Sequence, residues 1–235
     1  MSTRTNEFGQ PMGPAVPDRT PPPLPARRTM QGTWCTVEPF DIDAHLPDLF
    51  DALSAIESDW TYLPYGPFED VAAFQEWAQT TCLGDDPLFY TVRDNETDTA
   101  AGLASLMRIT PRSATIEVGH IHLGPVLKGS RAATEAMFLM MEYAFSLGYR
   151  RYEWKCDRLN EPSRNAALRL GFVFEGTWRQ ATVYKGRNRD TDWFSIIDAE
   201  WPRVREGFRR WLDPSNFDDS GHQRSRLQDC VPPAD

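Results

Sequence analysis

Residues 116–141 read IEVGHIHLGPVLKGSRAATEAMFLMM. Apolar, β-favouring residues run up to Gly124 and Pro125, where the extended pattern stops. A short Lys128-Gly129-Ser130 turn follows, and a long helical pattern opens at once over 131–147, with Gly148 as its C-cap. A strand that feeds a helix through a small-residue turn presents backbone N–H groups at the helix N-terminus. Those donors and the helix dipole favour a phosphate group there. The two common phosphate fingerprints, GxxxxGK[ST] and GxGxxG, are both absent. That disfavours a nucleotide-binding oxidoreductase. The same string also reads as an ordinary turn into a surface helix.

Outward from this stretch the elements come in mixed order. Residues 33–40 alternate like a strand, and 44–56 and 68–82 carry apolar residues at helical spacing. Strands are expected at 88–92, 100–109 and 114–123, then at 151–156 after the long helix, and at 172–184 and 192–197. Helices are expected at 162–170 and 201–212. The order βααβββαβαββα is that of a mixed α/β (α+β) domain rather than a doubly wound array. Residues 1–32 form a Pro-rich extension that builds no core and is either mobile or laid over the domain. The globular domain is expected over 33–212, and 213–235 reads as a polar, loop-like tail.

Composition narrows the partners. With 235 residues, of which 40% are hydrophobic, the chain can build a core. Its net charge of −9 argues against nucleic-acid binding and against an anionic membrane surface. The four cysteines (Cys35, Cys82, Cys156, Cys230) include no CxxC pair, so neither a metal site nor a disulfide framework is expected. No apolar run long enough to span a membrane occurs, and a cytoplasmic location is the default expectation.

A second segment, 149–172 (YRRYEWKCDRLNEPSRNAALRLGF), couples a strand to a short helix ending in Leu-Gly-Phe. Together the two segments resemble the GNAT superfamily of N-acetyltransferases, in the branch that contains the ribosomal-protein N-terminal acetyltransferases. The residues carrying the resemblance are Glu117-Val118-Gly119, Ala133-Thr134-Glu135-Ala136, Asn160 with Ser163, Gly171-Phe172, and Glu175, Gly176 and Arg179. It covers about residues 33–200. The resemblance implies a twisted, mostly antiparallel sheet of about seven strands, splayed between the fourth (114–123) and the fifth (151–156), with flanking helices. It implies acetyl-coenzyme A as co-substrate and no metal. The pantetheine arm would lie along Ile121, His122 and Leu123 like an added strand. The diphosphate would rest on the turn Lys128, Gly129, Ser130, Arg131, Ala132, Ala133 and Thr134, and Asn160 and Ser163 would meet the pantetheine. Arg131 stands where relatives carry a second glycine. Its backbone still donates at a helical φ, and its guanidinium suits a phosphate.

Acetyl transfer to an amine requires that the amine lose a proton, that the thioester carbonyl be polarised and that the thiolate be protonated. Glu117 is the first base candidate, beside the plainer reading of a charged residue at a sheet surface. His120 and His122, at i and i+2, share a face opposite Glu117, and a bulge between them would turn one toward the site. Either is a base candidate or a structural histidine. Ser163 resembles the branch's thiolate acid and is also a candidate helix N-cap. The branch's carboxylate base after a Gln-Ala pair is replaced by Thr182, and the common tyrosine before Gly-Phe by Ala167. Tyr184 or Cys156 would serve as acid if the fold brings it near the sulfur. On the acceptor side, Trp60, Tyr62, Tyr65 and Phe68 make a stiff aromatic loop suited to enclosing an acceptor or to simple packing. The expected acceptor is a small-molecule amine or a peptide N-terminus, with a homodimer as an expected assembly. The competing reading is a coenzyme A-binding module of the same fold without turnover.

Overall fold

The computed structural model describes residues 4–16 and 20–233. In chain order the elements are β1 (Arg4–Thr5), β2 (Pro11–Met12), β3 (Met30–Gln31), β4 (Cys35–Pro39), α1 (Ile42–Ser54), a 3-10 turn (Glu57–Tyr62), α2 (Val71–Thr81), β5 (Leu88–Asp94), β6 (Thr99–Thr110) and β7 (Thr115–Leu123). They continue as α3 (Arg131–Ser146), β8 (Arg151–Asp157), α4 (Glu161–Arg169), β9 (Val173–Tyr184), β10 (Arg187–Ile197), α5 (Trp201–Leu212), a second 3-10 turn (Pro214–Asn216) and α6 (Leu227–Cys230). The main sheet has eight strands in the order β3-β4-β5-β6-β7-β8-β10-β9, and only β7 and β8 run parallel. The strand beyond the expected seven is β3, a two-residue edge that pairs with β4 through Met30 and Gln31.

Local chemistry explains the helix starts. Asp41 caps α1 by accepting from Asp43 and Ala44, Asp70 caps α2, and the Ser130 hydroxyl caps α3 by accepting from Ala133 at 3.0 Å. Two apolar clusters fill the two faces of the sheet. One packs α3 and α5 against it through residues such as Met140, Tyr152, Phe194 and Phe208. The other packs α1 and α2 through Leu49, Leu53, Phe74 and Phe89. Burying such side chains contributes roughly 1.5–3 kcal/mol each.

Two segments outside the patterned elements are docked. Composition left two forms open for the N-terminal stretch, and residues 22–31 adopt the laid-over one. Tyr149 Oη donates to the Pro23 carbonyl at 3.1 Å, and Tyr143 Oη donates to the Ala26 carbonyl at 3.0 Å. At the other end, the tail is largely loop and turn but is packed onto the domain. Phe217 and Leu227 are buried in the main cluster, and the Asn216 side chain donates to the Trp211 carbonyl and accepts from the Ser225 N–H. Two isolated apolar residues in a polar segment carry no period, so the sequence pattern cannot register them.

Candidate active site

The pairing of β7 with β8 is short. Thr115, Ile116, Glu117 and Val118 face Arg151, Tyr152, Glu153 and Trp154, and beyond them the two strands part. On their outer sides both stay paired, β7 with β6 as far as Leu123 and β8 with β10 as far as Asp157. The inner backbone edges therefore open onto a cleft of about 1830 Å³, which runs from the 3-10 turn after α1 to the N-terminus of α3. Backbone groups left unpaired at such an edge seek an extended partner.

The mouth of the cleft is the turn before α3. Gly129 sits at φ +71°, and no atom lies within 4 Å of where its Cβ would be, so the turn is open on that side. Three of the expected donors are already used: Lys128 N–H and Ser130 N–H bond the Gly124 and Leu127 carbonyls, and Ala133 N–H bonds Ser130 Oγ. The N–H groups of Gly129, Arg131 and Ala132 have no acceptor among the described residues. The Lys128 ammonium pairs with Asp59 rather than standing free at the turn. Arg131 lies against two aromatic rings, its Cζ 3.8 Å from the Trp34 centroid and 4.9 Å from that of Phe217. Arg169, from the last turn of α4, donates to Thr134 Oγ1 at 3.1 Å and also lines the cleft.

The strand face expected to separate Glu117 from the histidines does not. His120 has φ +52°, and Leu103 and Ser105 on β6 face His122 and Gly119 on β7. The extra residue on β7 is a bulge that reverses the side-chain alternation. Glu117, Gly119 and His122 therefore share the face of Leu103 and Met107, and His120 turns to that side too. His120 Nδ1 lies 3.1 Å from Tyr65 Oη and its ring packs on Phe89. His122 meets the edge of Trp60 with centroids 4.3 Å apart, and neither ring nitrogen has a hydrogen-bond partner. Burial lowers both histidines to about 4, so both are neutral at pH 7.

Glu117 is 5% exposed and lines the cleft. Its carboxylate accepts from Lys155 Nζ at 2.6 Å and lies 3.3 Å from Arg108 Nε. Burial raises its pKa, against the opposing pull of Lys155 and Arg108. Lys155 rests 3.5 Å above the Trp193 ring. At the opposite wall, Ser163 does not cap α4. Asn160 does, its side chain accepting from the Ser163 N–H at 3.1 Å. The Ser163 hydroxyl accepts from Trp154 Nε1 at 3.1 Å and lies in the cleft beside Cys156, whose thiol burial pushes up to about 11. Tyr184 meets the cleft through Asp157, donating to that carboxylate at 2.8 Å, and burial with this bond raises it to about 12.

Of the aromatic loop, Tyr62 lines the cleft, while Trp60, Tyr65 and Phe68 pack with Phe74 and Trp77 under α2. The loop is tied across the cleft: Tyr62 Oη donates to the Leu159 carbonyl at 3.0 Å, and Lys185 Nζ to the Trp60 carbonyl at 2.7 Å. Sequence reasoning missed Lys155, Asp157 and Arg169. Lys155 was within reach, because strand alternation places it on the face of Glu153; nothing local marks Arg169.

This geometry has counterparts. A family model described as an acetyltransferase (GNAT) domain matches residues 36–173. A solved structure of a GCN5-related N-acetyltransferase from Brucella melitensis superposes with a TM-score of 0.90 at 44% identity, over 92% of this chain and 99% of that one. An uncharacterized N-acetyltransferase, p20, of Bacillus licheniformis is 29% identical over 60% of this chain and 80% of its own length. The ribosomal-protein-serine acetyltransferase of Escherichia coli K12 is 33% identical over 44% of this chain and 58% of its own length.

Proposed function

The chain belongs to the GNAT acetyltransferase family, an acyltransferase class, and from that premise we propose that it moves the acetyl group of acetyl-coenzyme A to a primary amine by direct attack in a ternary complex. The acceptor is a small-molecule amine or a peptide or protein N-terminus. The ribosomal-protein-serine acetyltransferase of Escherichia coli, a relative, favours a protein acceptor. The observation that carries the proposal is the parting of β7 and β8 beyond Val118 and Trp154, next to the open helix N-terminus.

The residues fit the co-substrate. The N–H groups of Gly129, Arg131 and Ala132 suit a diphosphate. The N–H groups of Ile121 and Leu123, which alternate with those of His122 and Gly124 on the β6 side, suit an amide-bearing arm, while Ile121 and Leu123 turn their side chains into the main core. The Asn160 amide nitrogen is left over for the same arm once its oxygen has capped α4. Bound there, acetyl-coenzyme A supplies an activated acyl thioester.

Glu117 is the base of choice in this reading. Burial raises its proton affinity toward that needed to take a proton from an ammonium, while Lys155 and Arg108 hold it in place. His120, neutral on the same face and bonded to Tyr65, is the second base candidate. In the same reading Ser163 returns a proton to the thiolate from the opposite wall, and the support is its position in the cleft with Tyr184 bonded to Asp157 nearby. Tyr62 borders the acceptor.

The test is thiol release from acetyl-coenzyme A across a panel of amines and peptides. The expected result is saturable release with at least one acceptor, and a kcat roughly 100-fold lower or worse in Glu117→Gln. Binding of coenzyme A with no acceptor-dependent release would contradict the proposal.

A further inference from the structure

The chain carries 34 acidic residues against 25 lysines and arginines, and among the described residues eight arginines pair with a carboxylate. The three that line the cleft, Arg131, Arg169 and Arg189, do not, and the first two meet at the first turns of α3. Among the described residues, neither Arg131 nor Arg169 makes a salt bridge. Both are held by aromatic rings instead. The Arg131 guanidinium lies on Trp34, with Phe217 at 4.9 Å, and Gly221 approaches it closely enough that a Cβ there would lie 3.8 Å from Nη2. Arg169 sits 5.1 Å from the Trp211 centroid and donates one N–H to Thr134, three residues after Arg131 in the first turns of α3. Trp211 packs edge-on against Phe217 with centroids 5.1 Å apart, so a single aromatic ladder supports both cations. Trp34, Trp211, Phe217 and Gly221 all line the same cleft.

A guanidinium whose faces rest on aromatic rings keeps its N–H edge free and its orientation fixed. That is the geometry for bidentate recognition of a phosphate. The diphosphate does not account for it, because the backbone N–H groups of the turn serve that group. The Arg131 side chain leans away from the turn, onto rings from the β3–β4 connection and from the segment after α5.

We propose that Arg131 and Arg169 form an anion clamp for a second phosphate, the 3′-phosphomonoester on the nucleotide end of coenzyme A. The clamp is assembled by segments outside the span of the matched family model, since Trp34 precedes residue 36 and Trp211 and Phe217 follow residue 173. It rests on the acetyl-coenzyme A reading above and adds to it a discrimination between coenzyme A and 3′-dephospho-coenzyme A. The arginine that replaces the usual glycine at the turn thereby gains a task of its own.

The test is calorimetric titration of the full chain with coenzyme A and, separately, with 3′-dephospho-coenzyme A. The wild-type chain is expected to prefer coenzyme A by about ten-fold or more, as charged hydrogen bonds of this kind give. In Arg131→Gln and in Arg169→Gln that ratio is expected to fall toward one, because affinity for coenzyme A drops more than affinity for the dephospho form. Phe217→Leu, which keeps both cations and loosens their support, is expected to give an intermediate ratio. Residual binding of 3′-dephospho-coenzyme A shows that each variant is folded. Equal wild-type affinity for the two ligands, or a full preference retained in both arginine variants, would overturn the clamp and leave the acetyltransferase reading standing. Failure of the wild-type chain to bind either ligand would overturn both.

Discussion

Two buried imidazoles set the acid limit of this molecule. His120 and His122 are lowered by burial to about 4, from an ordinary value of 6.5. Between those values the unfolded chain binds protons that the folded chain refuses, so stability is full above about pH 6.5 and falls as pH drops toward 4. Each group contributes up to roughly 3 kcal/mol to that slope. The urea midpoint followed from pH 7 to pH 4 is expected to fall less steeply in His122→Phe than in the wild type, whatever the variant's absolute stability. An unchanged slope would mean that His122 is protonated in the folded state. The same residues show how a single backbone angle governs a site. The positive φ at His120 bends β7 through a bulge, and that bulge brings the histidines to the Glu117 face. Alternation read from the sequence assumes a regular strand and put them on the wrong side.

At the scale of elements, the cleft depends on how β4 is fastened to α3. The Glu135 carboxylate, 5% exposed, accepts from the backbone N–H groups of Thr33, Trp34 and Cys35 at 2.8, 2.6 and 2.9 Å. Gly32 is required beside it, because a Cβ there would lie 2.4 Å from that carboxylate. This contact positions Trp34, and through it Arg131 at the head of α3. Glu135→Ala leaves three backbone donors without an acceptor. The expected loss is about 3 kcal/mol or more, read as a thermal midpoint lower by roughly 6–12 °C. A midpoint within a degree or two of the wild type would show that water satisfies the loop equally well. Glu135 belongs to the Ala-Thr-Glu-Ala string through which the sequence resembles its family, and its task here is structural.

For the whole molecule, what the sequence discloses follows from what is periodic in it. Seven of the eight sheet strands and the five longer helices carry alternation or helical spacing and were legible; β3 was not, β10 opens at Arg187 rather than at 192, and α5 matches at both ends. The parted strands were legible only through the resemblance, since a cleft between two strands leaves no local pattern. The aromatic bracket on Arg131 was illegible for a different reason. Trp34 and Phe217 stand far apart in sequence and lie in segments without periodicity, so only the folded chain brings them together. Among the described residues no helix is long and apolar enough to cross a membrane. Val173, Phe174, Trp178 and Val183 of β9 are exposed, with Trp178 stacked on Trp193 and Phe174 against Phe194.

The central claim is that the free backbone of β7 and of the turn before α3 receives coenzyme A. Amide hydrogen exchange of the full chain, with and without saturating coenzyme A, tests it at those groups. The account predicts added protection at Ile121 and Leu123 and at Gly129, Arg131 and Ala132, with α1 and α5 unchanged. Saturating coenzyme A that leaves these five amides exchanging at their free rates, or that protects another region in their place, would contradict it.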